Sequence, residues 1–147
     1  MTQKYFAHKV EFDGIIFDSK EEMREYLILK DRLKKGEISQ LHRQISFEIV
    51  PRLTKRVLVH LKTKDKYVDK FIEQRKVYTC DFLYREGDHI IIEEVKSFMS
   101  RMARDYPIRR ALMMQKILRH NNLRGHDTFL FREVVLEKNG KHKITTR

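Results

Sequence analysis

Between Val77 and Ser97 the chain reads VYTCDFLYREGDHIIIEEVKS. Two runs rich in aromatic and β-branched residues flank Glu86-Gly87-Asp88, so the segment reads as an antiparallel hairpin. Glycine in the first loop position suits a type II′ turn. That turn pairs Glu86 with His89. Counting back along both strands then sets Asp81 opposite Glu94 and Thr79 opposite Lys96. Side chains alternate between faces, so Glu94 and Lys96 share one, about 7 Å apart, and Asp81 faces the same way. A strand that begins Ile-Ile-Ile therefore ends in charge rather than in core.

Two readings of this cluster stand side by side. Like charges directly opposite in a sheet cost about 0.2–1 kcal/mol when exposed, and more when half-buried. A hard divalent cation between Asp81 and Glu94 reverses that sign. Mg²⁺ suits such oxygen ligands, with water and phosphate completing its shell, and Mn²⁺ is a substitute for it. Lys96 would then orient or deprotonate a water, or neutralise charge on a phosphorane-like transition state. In the other reading Glu94 and Lys96 are an exposed i, i+2 pair at a strand end, with Asp81 solvated nearby. A register slip of one residue would also put Glu93 in Glu94's place.

The flanking sequence predicts an α/β architecture. VEFDGIIF places a hairpin turn at Asp13-Gly14. DSKEEMREYLILKDRLKKG reads as one helix, with Ser19 as N-cap, Glu22 completing a capping box and Gly36 at C′. Its expected buried stripe is Glu22, Tyr26, Leu29 and Leu33, with Met23 and Leu27. Gln44 to Pro51 is expected to be a strand stopped by proline. Pro107 opens a second helix to about His120, with Ile108, Ala111, Leu112, Gln115 and Leu118 inward. Met99, Met102, Met113 and Met114 are expected to pack. Strands and an Asn139-Gly140 turn close the chain. The expectation is one domain over 1–147, a mixed β-sheet flanked by helices. Residues 52–76 are set apart as a flexible insertion. RVLVHLK within it alternates like a strand, and KYVDKFIEQRK reads as strand or helical turn.

Lys and Arg number 32 against 21 acids, a net charge of +11. Such an excess points to a polyanionic partner, most commonly nucleic acid. Gln44, Arg101, Arg104, Arg109, Lys116 and Arg119 are the candidate DNA contacts. The single cysteine, Cys80, leaves no internal disulfide and fits a reducing compartment. The seven histidines show no close ligand spacing for zinc. No apolar run approaches membrane-spanning length, and the first residues carry no signal-peptide core. No membrane is expected, and the expected location is cytoplasmic.

Asp81 followed by Glu94-Val95-Lys96 resembles the D…(E/D)-X-K signature of the PD-(D/E)XK nuclease superfamily. Glu22 on an upstream helix resembles that superfamily's usual companion glutamate. FDSKEEMREYL, GEISQLHRQISFEI, YTCDFLY and EEVKS together resemble a phage-borne family of unknown function within it. Cys80 stands where proline often precedes the aspartate, and Ser97 where phage relatives often carry glycine. The resemblance implies a restriction-endonuclease-like core and Mg²⁺-dependent phosphodiester hydrolysis. Asp81, Glu94 and Glu22 would hold metal and Lys96 would position the attacking water. Relatives include Holliday-junction resolvases and transposon-end nucleases. The implied function is a DNA endonuclease selective for branched DNA, acting as a homodimer in phage or mobile-element recombination, in the bacterial host's cytoplasm for a phage-encoded chain. The alternative is a non-catalytic DNA-binding protein, or a partner-dependent subunit, that keeps the fold.

Overall fold

A computed structural model describes residues 8–137 and 141–147. The chain is mixed α/β: strands β1 (Val10–Phe12) and β2 (Ile15–Phe17), helix α1 (Lys20–Lys34), strands β3 (Ser39–Val50), β4 (Leu53–His60), β5 (Asp65–Glu73), β6 (Lys76–Glu86) and β7 (His89–Ser97), helices α2 (Phe98–Arg101) and α3 (Asp105–Arg124), then β8 (Phe129–Leu136) and β9 (His142–Thr146). The central sheet has the order β3-β6-β7-β8-β9. Among the described strands only β7 and β8 run parallel, which is the join that needs the α2–α3 crossover. No described helix is long and apolar enough to cross a membrane.

Turn and cap chemistry set the local structure. Asp13 and Gly14 both take positive φ, 53° and 73°, as a type I′ turn requires. Gly87 alone has positive φ in the central turn, as a type II′ turn requires. Ser19 caps α1 by accepting the Glu22 N–H at 3.1 Å. The expected reciprocal bond shifts by one residue, because the Glu22 carboxylate accepts from the Asp18 N–H at 3.2 Å. α1 ends in a Schellman motif: Gly36 N–H reaches Leu33 O and Glu37 N–H reaches Arg32 O.

Each face of the sheet carries its own apolar cluster. Leu29, Ile38, Phe82, Tyr84, Ile91, Val95 and Val134 pack on the α1 side. Tyr78, Cys80, Ile92, Met113, Ile117 and Phe131 pack on the α3 side. In α1 Glu22, Glu25 and Leu29 are buried and Tyr26 and Leu33 pack half-buried beside them, whereas Leu27 is exposed. The helix turns its stripe toward Glu93 and so buries a second carboxyl where leucine was expected.

α3 differs more from expectation. It begins at Asp105, which puts Pro107 in the first turn, where its missing N–H has no intrahelical partner to lose. It buries Tyr106, Met113, Ile117 and Asn121, while Ile108 and Leu118 face solvent. Apolar residues lie all around this helix, so periodicity did not fix its phase. Met99 and Met102 are exposed rather than packed.

The segment over 52–76 is an antiparallel ribbon, β4 with β5, and KYVDKFIE within it is strand. Its strands pair with each other and with no strand of the central sheet. The Asn139-Gly140 turn lies outside the described residues.

Candidate metal and nucleic-acid site

The central hairpin adopts the expected register, from Glu86 opposite His89 to Phe82 opposite Glu93. One more step would set Asp81 opposite Glu94. There the regular ladder ends, although both strands continue. The Asp81 carboxylate accepts the Val95 N–H at 2.8 Å, in the place of a backbone acceptor.

The packing shows why the ladder ends here. Phe82 and Tyr84 pack on the α1 side, yet Tyr78 and Cys80 pack on the α3 side. A regular strand keeps all four on one face. β6 therefore changes face at Asp81. The neighbouring β3 does the same at Gln44. Leu41 packs on the α1 side and Ile45, Phe47 and Ile49 on the other. Gln44 has φ 54°, and the pairs Arg43 with Phe82 and Ile45 with Cys80 bracket it against Asp81. A left-handed residue flips the strand, and the two crossover residues lie side by side.

Asp81, Glu94, Lys96, Glu22 and Gln44 line one cleft of about 1070 Å³. Glu94 is buried and both its oxygens are engaged, one by the Tyr78 hydroxyl at 2.5 Å and one by Lys96 Nζ at 2.9 Å. Glu22 is held by the Gln44 amide at 3.0 Å and by Arg43 at 3.4 Å. Arg43 in turn lies over the Phe17 ring. Burial, then the charges of Glu94 and Glu22, push Asp81 well above the usual carboxylate range. Burial also pushes Glu22 up, against the hydrogen bond from Gln44. Burial would lower Lys96, but the Glu94 and Asp81 carboxylates outweigh it and hold Lys96 above its ordinary value. The Nζ sits 4.7 Å from the Tyr106 ring centre.

The alternative residue, Glu93, lies on the other face. It accepts from the Tyr84 hydroxyl at 2.5 Å, and burial and the neighbouring Glu25 push its carboxyl up. Glu133 went unnoticed in the sequence. It pairs with Glu94 across the parallel β7–β8 join, is almost fully buried, and is neutralised by Arg101 at 3.0 Å and Arg110 at 2.9 Å, with the Tyr106 hydroxyl donating to it. The sequence shows it only as a charged residue within the apolar run FLFREVVL; the parallel pairing that sets it beside Glu94 is seen in the structure.

The basic residues divide. Arg104 and Arg109 line the cleft with Gln44, though Arg109 also donates to Val77 O at 2.6 Å. Arg101 is tied to Glu133. Lys116 and Arg119 line a separate hollow of about 220 Å³, where Lys116 donates to Glu48 O at 2.8 Å. Among the described residues, no three His, Cys, Asp or Glu side chains form a ready-made metal cage.

Fold and site together define a mixed α/β domain that presents a buried carboxylate–lysine cluster where two neighbouring strands change face. A family model described as "Protein of unknown function (DUF1064)" matches residues 2–138, and the chain belongs to that family. No curated protein matches it.

Proposed function

We propose that this chain is a metal-dependent DNA endonuclease of the PD-(D/E)XK kind, the superfamily its D…EVK residues resemble. One observation carries the reading: Asp81, Glu94, Lys96, Glu22 and Gln44 converge on one cleft, although they come from three strands and a helix. A solvated strand end would not bury Glu94 or press its charge against Asp81.

The donor set fits Mg²⁺ or Mn²⁺. Asp81 and Glu94 offer two carboxylates, a common number for Mg²⁺ with water and phosphate oxygens completing the shell. Their mutual repulsion is a charge deficit that a divalent cation relieves. Glu22 adds a third carboxylate charge, held in place by Gln44. A bound Mg²⁺ supplies Lewis acidity and lowers the pKa of water. Lys96, kept cationic by Glu94, orients the attacking water or neutralises charge developing on the phosphate, and does not abstract a proton. Arg104 and Arg109 flank the cleft where adjacent phosphates would lie. The substrate in this reading is branched DNA, such as a Holliday junction, cut by a homodimer in phage or mobile-element recombination in the cytoplasm. Symmetric cutting of two strands calls for two copies of the site.

A second reading is a non-catalytic DNA-binding protein or a partner-dependent subunit. It is favoured by the engagement of both Glu94 oxygens by Tyr78 and Lys96. Cleavage assays decide between the two. Linear, nicked, flapped and four-way-junction DNA are incubated with Mg²⁺, Mn²⁺ or EDTA, beside Asp81→Asn and Lys96→Ala. The nuclease reading expects metal-dependent cutting, abolished by Asp81→Asn and lowered about 10²–10³-fold by Lys96→Ala. Binding without cutting under either metal would leave the second reading.

A further inference from the structure

Residues 52–76 carry nine Lys and Arg against three acids, a net +6 of the chain's +11. The structure sorts these charges by face. Register places Thr54 with Phe71, Arg56 with Asp69, Leu58 with Tyr67 and His60 with Asp65 on one side of the β4–β5 ribbon. That side balances its charge: His60 contacts Asp65 at 2.8 Å, and Arg56 lies beside Asp69 and over Tyr67. The other side pairs Lys55 with Lys70, Val57 with Val68 and Val59 with Lys66. Along these three pairs it contains no acid; the next acid is Glu73, opposite Leu53 beyond the register shift at the ribbon's base, where it contacts Lys76 at 3.6 Å.

Lys55 and Lys70 stand directly opposite, an arrangement that destabilises an isolated hairpin. Neither these two nor Lys66 has an ion-pair partner among the described residues, and all three are exposed. A two-stranded ribbon is marginal alone, and this one has no buried residue. Unbalanced lysines around a valine strip therefore point to an anionic partner that completes it. At about 3.3 Å per residue the eight residues of β4 extend about 26 Å, most of a turn of duplex, and a ribbon of this width enters the major groove. The ribbon leaves the sheet between Val50 and Lys76, on the same two strands that carry Gln44 and Asp81.

We propose that the β4–β5 arm is a second nucleic-acid contact, in which Lys55, Lys66 and Lys70 grip the phosphates of duplex DNA next to the cleft. The choice of DNA rests on the nuclease reading, but the contact does not require cutting. Binding of the full-length protein to duplex DNA is measured in EDTA across a salt series, for wild type, for Lys55→Ala/Lys66→Ala/Lys70→Ala, and for Lys20→Ala/Lys30→Ala/Lys34→Ala, which removes equal charge from α1. The arm variant should bind roughly 10- to 100-fold more weakly and lose about 0.9 per contact from the salt slope. The α1 control should keep most of its affinity and slope, and both variants should keep the wild-type circular dichroism and mass. Unchanged affinity and slope in the arm variant overturn the proposal. So does a fall in mass from dimer to monomer, which would make the arm an interface between copies. An equal loss in the α1 control overturns it too, since net charge alone then explains the effect. A wild type that binds through the arm yet cuts nothing supports the arm and removes the nuclease reading.

Discussion

Asp81 is a buried carboxylate set against two others, and it accepts the Val95 N–H. Its raised pKa means that the native state without metal keeps the carboxyl proton to higher pH than the unfolded chain does. The unfolded chain releases that proton near the ordinary value of about 4. Above that value ionisation favours unfolding, so stability is gained as pH falls from the raised native pKa toward about 4. Asp81→Asn keeps an acceptor for Val95 and removes the charge. At neutral pH without metal it should raise the melting temperature by a few degrees, on the order of 1 kcal/mol. Adding Mg²⁺ should raise the wild type and leave the variant unmoved. A thermal-shift assay over pH, with and without metal, reads both effects. A metal-free variant that melts below the wild type would contradict the charge argument. Lys96 bears on the pH profile of cleavage. Since its pKa is raised, cutting should climb as the carboxylates ionise and show no alkaline fall from Lys96 up to about pH 9.

At the scale of elements the unusual feature is the paired face switch at Gln44 and Asp81. A non-glycine residue at φ 54° is tolerable for glutamine and strained for a β-branched side chain. Gln44→Val should therefore destabilise the protein by about 1–3 kcal/mol in a denaturant titration. Gln44→Gly should keep the stability but remove one of the Glu22 carboxylate's partners, leaving Arg43 and the Asp18 N–H. Local chemistry made much of the fold legible: the Asp13-Gly14 and Gly87-Asp88 turns, both ends of α1 and the register of β6 with β7 all follow from residues close in sequence. The face switch does not, because glutamine gives no local sign of a left-handed backbone. Only the clusters that β3 and β6 pack against reveal it. The phase of α3 was hidden for a different reason. Ile108, Met113, Ile117 and Leu118 offer two apolar sides, and the sheet accepts the one that carries Tyr106 to Glu133. Glu25, Glu93 and Glu133 look like surface residues in sequence, and tertiary partners make them interior ones.

For the whole molecule, a body with a two-sided core is joined to an arm that contributes no residue to either apolar cluster and meets the body at its base, where Arg75 lies 3.7 Å from Glu48. Val50 pairs with Lys76 at the arm's root. A chain in which 51–75 is replaced by a two-residue Asn-Gly turn should therefore still close the β3–β6 pair. Its melting temperature should stay within a few degrees of the full chain, on the order of 1 kcal/mol. Calorimetry checks this, and a large loss would mean that the arm braces the body. The set-apart character of 52–76 was legible from its charge density. Its ribbon structure was legible for RVLVHLK but not for KYVDKFIE, whose strand form depends on pairing. Such a division also bears on how the molecule travels. With +5 of its +11 net charge on the arm over 51–75, it is an electric dipole as well as a polycation. In the field of a polyanion it turns as it diffuses and arrives ribbon first, so that each encounter begins pre-aligned. Salt would then act on the speed of arrival as well as on the strength of holding, since the Debye length of about 10 Å at 0.1 M is shorter than the arm.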